Sequence, residues 1–352
     1  MTSFVLLADK RKIVYDVVSL AIIEGPSQQA AVVTDANKES QTRLDVLLLH
    51  GMAPVGRKCW GFKDHTSNKK SVMKNGKLAC ENVSTFIESI RQLSNNEISH
   101  VRLIMPDRPG YVDSDAAPSS REEGCVDNGE TMGYSYAKFA SDMLTVIKHA
   151  TAGDDDDDDD DKKKHLIILG TSSGGPCALA VRNRILSASH SLTNHTFLGT
   201  IICSSDCPYS HPQCPQAVTE EDAKDLNGRS IEQYAQDESL KRFRRKSKHG
   251  FVTDYLLERS DWGFDLAASS HVSGDDRVHR CCDRVHMYVG GENDYKSIRL
   301  GVHFLKELIG VDARLQILDE EDHFYASRKP DLLAKLLVTM IRSRCDELIE
   351  NP

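Results

Sequence analysis

No stretch of this 352-residue chain approaches the roughly 20 consecutive apolar residues that a membrane-crossing helix needs. A secretory start is missing too. The apolar stretch that opens at Phe4 is interrupted by Asp9, Lys10, Arg11 and Lys12. The last residues, Ile349 to Pro352, spell no address. A cytoplasmic protein without a membrane span is therefore expected.

Positive charge is not in excess. The formal net charge is −9, which argues against a nucleic-acid partner. More than half of it comes from one run, Asp154 to Asp161, followed by Lys162, Lys163 and Lys164. Eight like charges repel one another, so the run reads as a solvated loop. An ordered calcium site needs spaced ligands and a turn residue, which a uniform run does not provide.

The ten cysteines, including the adjacent Cys281 and Cys282, form no pair of CxxC motifs with zinc-ribbon spacing. Their densest group is Cys203, Cys207 and Cys214 with His211. Its irregular spacing fits free thiols in a reducing compartment better than a metal site. No metal and no cofactor are expected, which leaves a small-molecule substrate as the partner to look for.

What the chain does have is enough apolar residue, 39%, to bury a sizeable core. Residues 4 to 8 and 12 to 19 read as a hairpin-like opening. Polar residues 25 to 43 read as a loop. Six short apolar runs follow, at 44–49, 101–105, 166–169, 198–203, 285–289 and 315–318. Runs of that length suit strands buried on both faces of a parallel sheet. Helical spacing appears between them at 134–149, 176–187 and 298–309. Alternating strands and helices predict an α/β fold with a mainly parallel central sheet flanked by helices.

Residues 205–283 break the alternation. They are polar, carry no buried-strand run and contain helix-like pieces at 219–235 and 252–258. They are expected to form an inserted helical lid between two core segments, 1–204 and 284–352. The basic cluster Lys241 to Lys248 lies within this insert. It reads as a solvated lid helix, with attraction of an anionic substrate or surface as the alternative.

The strongest local signal is Gly170-Thr171-Ser172-Ser173-Gly174, after an apolar strand and before Pro176 and a helix. A serine there sits on a tight strand-to-helix turn whose flanking glycines avoid clashes. Pro176 suits the first helical turn. The helix N-terminus offers partial positive charge to a developing oxyanion. A phosphate-cradling loop is disfavoured, because no Gly-Lys-Ser/Thr follows. Ser173 is the rival nucleophile, but glycine does not stand at 171.

Taken in chain order, the motifs resemble the α/β-hydrolase superfamily over most of the chain outside the lid. Leu47-Leu48-Leu49-His50-Gly51 resembles its His-Gly oxyanion strand end, and Asp107-Arg108-Pro109-Gly110-Tyr111 its Asp-Arg-Pro-Gly-Tyr turn. The serine elbow follows. Gly291-Glu292-Asn293-Asp294 and Asp322-His323-Phe324 resemble its acid and histidine loops. Asp261-Trp262-Gly263-Phe264-Asp265 resembles a segment of some members.

The resemblance implies an α/β-hydrolase fold and a serine hydrolase, acting on a carboxylic ester through an acyl-enzyme. Ser172 would be the nucleophile, His323 the base and Asp294 the acid that orients it, in the order that fold uses. Asp206, after the run 198–203, is the alternative acid. The backbone N–H groups of Met52 and Ser173 would form the oxyanion hole. Gly170, Gly174, His50 and Gly51 would support the elbow.

The chain departs from the pattern at three places. The segment Met52 to Gly56 differs, Val112 replaces the glycine usual after Tyr111, and Asp319 to Asp322 replace a glycine-rich stretch. The alternative function is a non-catalytic ligand-binding or scaffolding member of the same fold.

Overall fold

The structure is a computed structural model. It describes residues 2–22, 42–53, 55–62, 73–94, 98–117, 134–152, 164–187, 195–226, 229, 233, 237, 247–267 and 284–350. The Asp154–Asp161 run, Lys241 to Lys246, Pro54, the Cys281–Cys282 pair and most of the 25–43 segment lie outside these residues.

Strands β1 (Thr2–Leu6) and β2 (Lys12–Ala21) form the expected antiparallel hairpin, closed between Leu7 and Arg11. Six more strands follow: β3 (Thr42–Leu49), β4 (Ile98–Pro106), β5 (Lys164–Thr171), β6 (Thr196–Cys203), β7 (Val285–Gly290) and β8 (Ala313–Leu318). The sheet order is β1-β2-β4-β3-β5-β6-β7-β8. β2 runs antiparallel to β4, and every pairing from β4 to β8 is parallel. Each buried strand contains its apolar run and extends past it by polar or turn-proximal residues.

The apolar runs of β3 to β7 are continuous because both faces of the sheet are covered there. The run at 315–318, against expectation, is not doubly buried, since β8 is an edge strand that leaves Ile317 48% exposed. In β3, Leu44, Val46 and Leu48 join one core, while Leu47 and Leu49 join the other. Helices α2 (Tyr136–Thr151), α3 (Gly174–Ser187) and α6 (Lys296–Ile309) pack on one face. Helices α1 (Met73–Ser94) and α8 (Pro330–Glu350) pack on the other, through residues such as Phe86, Ile90, Leu333 and Leu337. A short helix α7 (Tyr325–Arg328) precedes α8.

The sequence reading found α2, α3 and α6 to within two residues at each end. It did not single out α1 or α8. Asp45 interrupts the apolar run of β3 and is fully buried. It accepts two hydrogen bonds from Arg102, at 2.8 and 2.6 Å, and lies 2.8 Å from His195 Nε2.

Between β6 and β7 lie α4 (Gln216–Leu226) and α5 (Lys248–Glu258). α4 begins three residues before the expected helix at 219, and residues beyond 226 are mostly outside the described set. A small cluster of Tyr111, Phe251 and Tyr255, with Met52, Val112 and Val252 against it, joins α5 to the turn after β4.

The strand order positions a site. From β3 the chain moves to β4 on one side, and from β5 it moves to β6 on the other. The carboxyl ends of β3 and β5 thus flank a switch point, where open α/β sheets form their crevice. His50-Gly51-Met52 follow β3 and Ser172 follows β5.

Candidate active site

Ser172 has φ 50°, in the left-handed region that a non-glycine residue seldom adopts. The turn is held by Ser172 N–H donating to the Cys203 carbonyl at 3.0 Å and Gly175 N–H donating to the Ser172 carbonyl at 2.8 Å. Glycine is required on both flanks. A Cβ on Gly170 would strike the Gly174 backbone, and one on Gly174 would strike the Leu49 carbonyl. Gly51 is also tightly placed, since its Cβ would lie 2.8 Å from Ser172 Cβ.

The neighbouring Ser173 is in a different setting. It is 1% exposed, and its hydroxyl accepts a hydrogen bond from Arg108 Nη2 at 2.8 Å. Ser172 instead lines a cavity of about 490 Å³ together with Gly51, Met52 and His323. The Ser173 N–H lies just ahead of α3, where backbone donors have no intrahelical acceptor. Met52 is set by the loop after β3, in which Ala53 N–H donates to the Gly51 carbonyl at 2.7 Å.

His50 supports that loop. Its Nδ1 lies 2.6 Å from the Gly51 carbonyl, and Arg108 N–H donates to its Nε2 at 3.3 Å. This pattern requires the neutral tautomer protonated at Nδ1. Burial, reinforced by the Arg108 charge, holds its pKa well below the usual histidine value.

His323 and Asp294 come together. His323 Nδ1 is 2.8 Å from Asp294 Oδ1. Tyr295 N–H donates to the same oxygen at 2.7 Å. Asp294 Oδ2 accepts from Ser204 Oγ at 2.5 Å and from Gly290 N–H at 3.0 Å. Burial pushes the Asp294 carboxyl up, but the bond to His323 and these other donors outweigh it and leave the carboxyl below its ordinary range. The imidazole is flanked by the rings of Tyr295 and Phe324, with centroids 4.6 and 5.0 Å away.

The acid and histidine loops are clasped by Gly291 N–H donating to the Glu321 carbonyl at 3.1 Å. Two carboxylates just before His323 face their own cations. Glu321 pairs with Lys329 at 2.6 Å and Asp322 pairs with Arg328.

Asp206, the alternative acid, does not take this place. Its Oδ1 accepts from Tyr209 OH at 2.8 Å, and the carboxyl lines the same cavity. Ser204, whose φ is 47°, was not foreseen, because a serine beyond a strand end carries no motif. Nor were Asp254, Glu258 and Arg259 on and after α5, which adjoin the elbow and cavity but belong to no recognisable pattern. Cys203 and Cys207 are buried, and among the described residues no three His, Cys, Asp or Glu side chains gather as metal ligands would. Among them, too, no helix is long and apolar enough to cross a membrane.

No protein-family model and no curated protein sequence matches the chain. Solved structures do. An esterase from Exiguobacterium antarcticum is 17% identical, with a TM-score of 0.51 over 97% of this chain and 100% of that one. A bromoperoxidase from Bacillus anthracis is 12% identical, with a TM-score of 0.51 over 97% of this chain and 100% of that one. At such identity the likeness defines the fold, and the chain has the α/β-hydrolase fold.

Proposed function

We propose that the chain is a serine hydrolase that cleaves carboxylic esters through an acyl-enzyme on Ser172. The observation that carries this reading is the hydrogen bond from His323, which lines the same cavity as Ser172, to Asp294. His323 removes the Ser172 proton as the hydroxyl oxygen attacks the ester carbonyl, then delivers it to the departing alkoxide. Water attacks the acyl-enzyme by the reverse proton route and releases the acid. Asp294 fixes the ring tautomer and stabilises the imidazolium. The N–H groups of Met52 and Ser173 receive the developing oxyanion. Residues 205–283 act as a lid over the core segments 1–204 and 284–352, and α5 supplies one wall of the cavity.

A fluorophosphonate probe tests this reading. It should label the wild type and Ser173→Ala, and fail to label Ser172→Ala that is shown to be folded. A folded wild type that resists the probe would favour a binding or scaffolding role. Labelling that moves to Ser173 would overturn the assignment of the nucleophile.

A further inference from the structure

The cavity beside Ser172 has a charged end whose balance is incomplete. Four acids gather there and along α5: Asp206, Asp222, Asp254 and Glu258. All four are buried. Two arginines answer them. Arg108 spends its guanidinium on Asp254, at 3.1 and 2.7 Å. Arg259 takes Asp222 through Nε at 3.0 Å and through Nη2. Arg259 lends Glu258 Oε2 a long bond of 3.3 Å. Asp206 has a neutral partner, the Tyr209 hydroxyl.

One oxygen on each remains. Among the described residues, Asp206 Oδ2 and Glu258 Oε1 are buried without a hydrogen-bond partner, and both residues line the cavity. Their side chains are more than nine-tenths buried, at 7% and 1% exposure. A buried polar atom left unpaired is costly, so two of them on residues that line one cavity mark where a ligand's donors belong.

We propose that Asp206 and Glu258 form a subsite for a primary ammonium group, and that the preferred substrates are esters carrying such a cation on the acyl portion. This deepens the reading of Ser172 as an ester-cleaving nucleophile and rests on it. An ammonium has three donors and no acceptor, and it supplies the positive charge that the two arginines leave short. A carboxylate substituent would meet repulsion here, and an alkyl group would leave both oxygens unsatisfied.

The titration of the pair agrees. Burial, joined by the neighbouring Asp206 charge, pushes the Glu258 carboxyl well above its ordinary range. Burial likewise raises Asp206, against the opposing pull of Tyr209 and Arg259. Without a ligand cation the two negative charges are disfavoured together. The location fits the acyl portion. Asp206 follows β6 three residues after Cys203, whose carbonyl accepts from the Ser172 N–H, and it lines one cavity with Ser172 and His323.

The test uses p-nitrophenyl esters of L-alanine, L-lactic acid and isobutyric acid, which differ at one substituent: ammonium, hydroxyl or methyl. Rates are corrected for spontaneous hydrolysis. The wild type should favour the alanine ester over the isobutyrate ester in kcat/KM by about 10-fold to 100-fold, the range of hydrogen bonds to charged groups. In Asp206→Asn/Glu258→Gln this preference should collapse toward unity while isobutyrate hydrolysis and phosphonate labelling of Ser172 persist. A lactate ester as good as the alanine ester, an alanine preference that survives the double substitution, or no preference in the wild type would each overturn the proposal.

Binding of n-propylammonium, followed as a rise in Tm that the double variant loses and that 1-propanol does not reproduce, tests the subsite independently of turnover. No binding overturns it. Binding by a protein that no phosphonate labels keeps the subsite and refutes the hydrolase reading.

Discussion

Arg108 and Asp254 join the turn after β4 to helix α5 through two parallel hydrogen bonds of 3.1 and 2.7 Å. The same guanidinium donates to the Ser173 carbonyl at 3.1 Å and to its hydroxyl at 2.8 Å. One buried side chain therefore braces the residue that follows the proposed nucleophile and anchors the segment between β6 and β7. The Tyr111 hydroxyl donates to Asp254 as well.

Breaking this pair from one side leaves a buried charge without its counterion. Asp254→Ala should therefore destabilise the protein by about 3–5 kcal/mol. Arg108→Met/Asp254→Leu should lose less than the single change, because no charge is stranded. Denaturant unfolding of the three proteins measures this. A double variant less stable than Asp254→Ala would mean that the pair contributes net stability, against this argument.

The elbow glycines yield a second expectation. Gly174→Ala drives a methyl group into the Leu49 and His50 carbonyls, an overpacking of backbone that cannot turn aside. A loss of roughly 1–3 kcal/mol or more is expected. Gly51→Ala meets the Ser172 Cβ at 2.8 Å and the Thr171 carbonyl oxygen at 3.0 Å, a milder overlap. It should slow phosphonate labelling with a smaller change in Tm. Equal and small effects in both assays would show that the turn has more room than its geometry indicates.

Asp294 links stability to pH. Its carboxyl titrates below the ordinary range in the folded chain, chiefly because the bond to His323 overcomes burial. The folded state then prefers the ionised form. The stabilisation is complete above the unfolded carboxyl value, near 4, and is lost as pH falls through the lower folded value. The stability gap between wild type and Asp294→Asn should be on the order of 1.5–3 kcal/mol at neutral pH and should narrow toward pH 3. A gap that stays constant across that interval would contradict a depressed carboxyl.

Local patterns made much of this fold legible. The runs at 44–49, 101–105 and 166–169 declared doubly covered strands, since all their residues but the paired Asp45 and Arg102 are apolar and buried. Ser172, Asp294 and His323 could be singled out as candidates because each follows a strand end in a fixed order. Asp254, Glu258 and Arg259 could not. Their meaning comes from contacts with Arg108, Asp206 and Asp222 across the fold, and a polar helix reads the same whether its acids face solvent or a cavity. Helices α1 and α8 went unread although residues such as Phe86, Ile90, Leu333 and Leu337 are buried. Asp294 was preferred over Asp206 from the sequence, and its 2.8 Å contact with His323 supports that preference.

Val112 stands where the resemblance calls for glycine, and the backbone there has kept the glycine conformation, with φ 43°. A β-branched residue in that region is strained. Its side chain is partly buried against Tyr111, Phe251 and Tyr255. Truncation to alanine or to glycine removes that packing alike, so comparing the two isolates the backbone. At an ordinary position alanine is the more stable by about 0.4–1 kcal/mol, because glycine loosens the unfolded chain. Here the left-handed conformation costs any residue with a Cβ about 1–2 kcal/mol, which exceeds that entropic difference. The usual order should therefore invert, with Val112→Gly melting above Val112→Ala. If alanine proves the more stable, the turn after Tyr111 does not hold the left-handed conformation in solution. The bond from Val112 N–H to Ser247 Oγ, 3.4 Å long, would then no longer tie this turn to the start of α5.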